Sequence, residues 1–182
     1  MFEEYLEDAH YFASKARRIK NEREAKRYYR AAVLSAIAAL EAFMSYLGVT
    51  FSHGGGKLKD YEVAFLLDKR FGLRKQKPYE ISELTEYHRL EDKVGFLISK
   101  FLPRFDFAKD RTWVGFHQLK DLRDLLAHPK GEEDPTSIKA YERGFRSGFS
   151  STVQIMNNLC LGIFKQPLRR KILDLLPDNI NR

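Results

Sequence analysis

The stretch from Ala31 to Val49 is rich in alanine and carries one formal charge, Glu41. Such a segment must place its apolar surface either in lipid or against other parts of its own chain. Its alanines and its two serines, Ser35 and Ser45, make the gain on membrane insertion small. It is therefore read as a buried core helix of a protein that does not span a membrane. Upstream the pattern continues, so a helix is predicted from Glu22 to Leu47, with Tyr29, Val33, Ile37, Leu40, Met44 and Leu47 on one stripe. Gly48 stands where a C-terminal cap is expected.

The remaining chain repeats this periodicity. Leu6, Ala9, Phe12, Ala13, Ala16 and Ile19 mark an amphipathic helix from Phe2 to Ile19. A shorter helix is predicted at Tyr61 to Phe71, after a glycine-rich turn at Ser52 to Lys57. Another is predicted from Ser82, with Leu84, Tyr87, His88, Leu90, Val94, Leu97, Ile98 and Phe101 on its apolar side, until Pro103 stops it. Trp113, Phe116, Leu119, Leu122 and Leu126 form the stripe of a helix ending near His128, where Pro129 disfavours helical geometry. The last long helix, Thr136 to Phe164, carries Gly144 and Gly148 four residues apart, a spacing that permits close helix contact. A short basic segment, Leu168 to Leu176, is expected to pack as a tail. No segment alternates as a strand does, so the expectation is a single all-α domain over residues 1–182, a bundle of about five main helices with 168–182 as the tail.

Charge narrows the class of partner. The chain carries a net +7, and the excess gathers between Lys15 and Arg30, where only Glu22 and Glu24 oppose eight basic residues. Such a cluster attracts polyanions, so RNA or DNA is an expected partner, with Arg17, Arg18 and Lys20 as contacts to RNA; a DNA-binding protein would need a recognition helix, and the cluster shows no turn suited to one. A solvated helix surface produces the same pattern. The single cysteine, Cys160, cannot form an internal bridge, and the acidic N-terminus does not resemble a secretory signal, so a cytoplasmic location is expected.

Several apparent motifs fail on chemistry. His53-Gly54-Gly55-Gly56 resembles an oxyanion-hole string, but the sequence has no Gly-x-Ser-x-Gly elbow to accompany it. Gly56-Lys57 lacks the following Ser or Thr and the upstream glycine of a phosphate-binding loop. One cysteine and five scattered histidines offer no zinc ligand set, so neither a metal nor a cofactor is expected. His10 and His88 are read as packing or surface residues.

What remains is Leu122-Arg123-Asp124-Leu125-Leu126-Ala127-His128-Pro129. On a continuous helix Arg123 and His128 would point about 140° apart. Pro129 pushes His128 out of helical geometry, which lets its ring turn back toward the guanidinium. A guanidinium grips phosphate with two parallel hydrogen bonds, and an imidazole exchanges protons near neutral pH. Together they are the minimum parts for cleaving RNA by attack of its own 2′-hydroxyl.

This Arg-x4-His at a helix end, with a polar residue after the arginine, resembles the signature of the HEPN superfamily. Ala36-Ile37-Ala38-Ala39-Leu40-Glu41-Ala42-Phe43 resembles its second core helix, and the overall similarity covers residues 1 to 165. The resemblance implies a helical bundle, metal-independent endoribonuclease activity of the kind found in toxins and defence effectors, Arg123 and His128 as catalytic residues, and a homodimer in which the two motifs face each other. It leaves open a non-catalytic module that binds RNA or protein, and it raises an antitoxin protein as a further partner. Members with a tyrosine two residues after the histidine are controlled by a modifying antitoxin. Lys130 stands there instead and is assigned to RNA binding. Glu41 needs a cation if it is buried, and is expected to pair either with Arg123, as part of the catalytic machinery, or with another basic residue for structure alone. A second spacing, Arg111-x5-His117, is set aside because Arg111 is expected to precede the helix.

Overall fold

The computed structural model describes residues 1–54, 57–72, 80–128 and 136–176. The chain is mostly helical: α1 (Phe2–Arg18), α2 (Glu22–His53), α3 (Asp60–Leu66), α4 (Leu90–Phe101), α5 (Arg111–Ala127), α6 (Ile138–Phe164) and α7 (Arg170–Leu173), with two strands, β1 (Lys69–Gly72) and β2 (Glu80–Thr85). It divides into two compact units: residues 1–40 with 104–182, and residues 41–103. The continuous helix α2 contributes to both.

The first unit buries the stripes that the periodicity marks. Leu6, Ala9, Tyr29, Val33, Leu40, Phe116, Leu119, Tyr141, Val153 and Met156 are all within its core, and the rings of Tyr29 and Tyr141 stack at 6.0 Å. The segment Arg104 to Asp110 is a loop, fastened to α5 by Phe107 against Trp113 at 4.9 Å. The tail packs as expected: Ile172 is buried, Lys171 donates to Glu7 at 2.8 Å, and Arg169 donates to Glu3 at 3.3 Å.

The second unit corrects three expectations. Gly48 does not end α2, which runs on to His53. The glycine instead admits Leu67, whose Cδ2 would lie 2.8 Å from an added Cβ, so its small size serves packing rather than a cap. Residues 69–72 and 80–85 form an antiparallel hairpin, with Phe71 opposite Ile81 and an irregularity between Lys69 and Phe71, in place of the end of one predicted helix and the start of another. The described residues of β2 have no buried side chain, so the hairpin lacks the alternation that announces a half-buried strand. Leu84 and Tyr87, placed by periodicity on an apolar helix face, are 61% and 87% exposed. The helix starts only at Leu90 and ends, as expected, just before Pro103.

Asp68 organises this unit. It adopts the left-handed region at φ 55°, accepts the His88 N–H at 2.8 Å and forms an ion pair with the buried Lys93. Its carbonyl accepts the Glu86 N–H at 2.8 Å. One residue thereby ties the exit of α3 to the entry of α4. Glu62 does similar service, accepting from the Lys59 backbone at 2.8 Å and from Lys100 at 2.6 Å.

Candidate functional site

Helix α5 begins two residues earlier than its apolar stripe suggests, because Asp110 caps it by accepting the Thr112 N–H at 2.7 Å. Arg111 therefore lies on the helix, which corrects the expectation that it precedes it. The helix then packs antiparallel on α6 through three glycines. An added Cβ at Gly115 would meet the Ser151 hydroxyl at 2.1 Å, one at Gly148 the Leu119 Cβ at 2.4 Å, and one at Gly144 the Leu122 Cδ1 at 2.6 Å. The expected close approach at Gly144 and Gly148 is thus made, and α5 supplies the third glycine.

The motif occupies the far end of this pairing. The helix ends at Ala127, and His128 is its cap, with φ −131° and ψ 65°. It has left helical geometry, as the following proline requires, while its N–H still donates to the Asp124 carbonyl at 3.0 Å. The histidine is exposed. Arg123 is different: its side chain is 30% exposed, and its Nε lies 3.3 Å from the Asp124 carboxylate. That nitrogen is buried and donates no hydrogen bond, because ion-pair distance to the adjacent residue is reached without the alignment that a hydrogen bond needs. Asp124 also receives Lys120, at 3.2 Å. The polar residue after the motif arginine is therefore shared between two cations.

The other assigned residues are each in a setting of their own. Glu41 is exposed, which removes the burial argument for a compensating cation. It lies on a solvent stripe with Leu34 and Ser45, whereas Ile37, Leu40, Met44 and Leu47 face inward. Arg17, Arg18 and Lys20 are exposed, as an RNA contact requires, and Arg17 pairs with Glu142 at 3.4 Å. Lys130 and Pro129 lie outside the described residues. The competing spacing dissolves, since the His117 ring packs at 4.8 Å from Trp113 and 5.4 Å from Phe116. The His88 ring likewise packs 4.5 Å from Phe65. Among the described residues no group of three His, Cys, Asp or Glu side chains could hold a metal. Helix α2 is long and apolar enough to cross a membrane by length and composition, yet over half of its most apolar window is buried within the protein.

One feature escapes the sequence reading. Arg111 and Thr112 at the start of α5, with Lys139, Glu142, Arg143, Arg146, Ser147, Ser150, Ser151 and Gln154 of α6, line an open groove of about 950 Å³. The signal was present, because Lys139, Arg143, Arg146, Ser150 and Gln154 recur at spacings of three and four, a polar stripe beside the apolar one. A polar stripe on a helix is also what an ordinary solvated face presents. Set beside known proteins, the chain matches no family model, no curated protein and no solved structure.

Proposed function

We propose that this chain is a metal-independent endoribonuclease of the HEPN type, acting as a cytoplasmic homodimer. The observation that carries the reading is Arg123: a half-buried arginine whose Nε makes no hydrogen bond, followed at the helix end by the exposed His128. A buried donor that lies 3.3 Å from a carboxylate without making a hydrogen bond is uncommon and needs an account. A phosphate supplies one, since its oxygens accept in parallel from a guanidinium edge.

In this reading Arg123 holds the scissile phosphate and stabilises the charge that gathers on its equatorial oxygens. His128 removes the 2′-hydroxyl proton as the 2′-oxygen attacks phosphorus. The P–O5′ bond breaks, and the partner's His128 protonates the departing 5′-oxygen. The products are a 2′,3′-cyclic phosphate and a 5′-hydroxyl, with no water consumed and no electron transferred. One histidine per chain supplies half of this proton traffic, and a twofold axis supplies the other half.

The test is incubation of purified protein with end-labelled RNA in excess EDTA. Fragments ending in cyclic phosphate are expected, and His128→Ala and Arg123→Gln should each lower the rate by about a hundredfold or more, the scale of a lost acid–base or oxyanion group. RNA binding without fragments in the unsubstituted protein would support the non-catalytic module instead.

A further inference from the structure

The polar face of α6 is built to receive anions. Four cations, Arg111, Lys139, Arg143 and Arg146, line the groove against one carboxylate, Glu142. That carboxylate is turned to Arg17, 3.4 Å away. None of the four groove cations forms an ion pair among the described residues, and all four are exposed. Like charges crowded on one face repel, so an arrangement of this kind is relieved by a polyanion.

The floor carries a second, independent sign. Ser150 is 5% exposed, and its Oγ is buried without any hydrogen-bond partner. A serine within a helix ordinarily satisfies itself on the carbonyl four residues back. Ser150 does not, and it stands one turn beyond Arg146 on the same face. Both residues line the groove, so an anion held by Arg146 would find beside it a buried hydroxyl with no bond to give up.

We propose that this groove is the track for the phosphodiester backbone of a single RNA strand, with Arg143 and Arg146 as its chief phosphate ligands and Ser150 beneath them. The inference rests on the ribonuclease reading for the identity of the strand. Its extent favours a strand over a compact phosphate ligand. From Lys139 to Gln154 the helix rises about 22 Å, room for about six successive phosphates at the stacked rise of about 3.4 Å per nucleotide and for fewer in a more extended strand. Its direction favours the same substrate. Gly144 packs against Leu122, so the Lys139 and Arg143 end of the groove lies at the end of the helix pair that bears Arg123 and His128. A strand in the groove leads toward the motif.

The experiment measures binding separately from cleavage. The protein carrying His128→Ala is titrated in EDTA against a labelled single strand of about twelve nucleotides, followed by fluorescence anisotropy over a range of salt. Adding Arg143→Gln and Arg146→Gln should raise Kd at least tenfold and reduce the slope of log K against log salt by about 1.4, the value for two lost phosphate contacts on a single strand. Lysine at both positions should restore the slope, and Ser150→Ala should weaken binding about threefold without altering it. Circular dichroism melting checks that each variant is folded. An unchanged Kd and slope in the double glutamine variant would overturn the proposal. So would displacement of the strand by pyrophosphate at low micromolar concentration, which would identify a compact phosphate ligand. Groove-dependent binding by a protein that yields no cyclic phosphate would keep the groove and remove the nuclease. Cleavage at full rate by the double glutamine variant at subsaturating RNA would keep the nuclease and remove the groove.

Discussion

Cys160 illustrates how position governs the chemistry of a single side chain. Burial pushes its thiol up to about 11, so at pH 8 only about one molecule in a thousand carries the nucleophilic thiolate. The native protein should resist a thiol-reactive dye at pH 8 and react fully once unfolded in guanidinium, and rapid labelling without denaturant would contradict this. Glu62 shows the opposite balance. Burial acts to raise its pKa, but the hydrogen bonds from Lys100 and the Lys59 backbone outweigh burial and hold it below the ordinary carboxyl value. A depressed carboxyl contributes stability above its unfolded pKa and loses it as pH falls through the folded one. Glu62→Gln should therefore lower stability at pH 7 and flatten its loss on acidification below about pH 4.5, as read by urea denaturation at several pH values. Arg123 belongs at this scale too. Its residue type and spacing were legible in the sequence, whereas its unbonded Nε depends on how Asp124 sits beside it and on what covers it.

At the scale of elements, the crossing of α5 on α6 depends on what is absent from three positions. Alanine is the better helix former by about 1 kcal/mol, yet at Gly148 its methyl would press on Leu119 at 2.4 Å and on the Gly115 carbonyl at 3.0 Å. Backbone cannot yield as a flexible side-chain tip can. Gly148→Ala should therefore destabilise the protein by about 2 kcal/mol net, measured by chemical denaturation, and a stabilised variant would show that the pair is more loosely packed than described. In the second unit the hairpin and α4 depend on Asp68. Asp68→Ala removes the carboxylate that faces buried Lys93 and the acceptor for His88. A loss of about 2 kcal/mol is expected, less than for a fully buried pair because Asp68 is partly exposed. Hydrogen exchange should show the loss at residues 68–72 and 80–93, and uniform protection there would refute it.

For the whole molecule, the proposed chemistry requires two copies. Specific activity should rise with protein concentration in step with the dimer fraction from sedimentation, and a strictly monomeric protein fully active at nanomolar concentration would remove the dimeric site. Much of the architecture is legible in the sequence. Helix periodicity is a local property of the backbone and its side-chain stripe, so α1, α2, α5, α6, the stop before Pro103 and the departure of His128 from helical geometry all follow from residues near one another in sequence. The hairpin did not, because a solvated two-stranded ribbon has no buried face to impose alternation. Nor did the exposure of Glu41, since a helix that is apolar on nearly every side can be buried all round, and packing decides whether any side meets solvent. The polar stripe of α6 and the close approach at Gly148 are legible as spacings, but that Arg111 joins the stripe to line a groove, and which side chains Gly48, Gly115 and Gly148 admit, belong to tertiary structure. Which residues of one element oppose those of another is decided by the packing of distant segments, and no stretch of chain read alone contains that information.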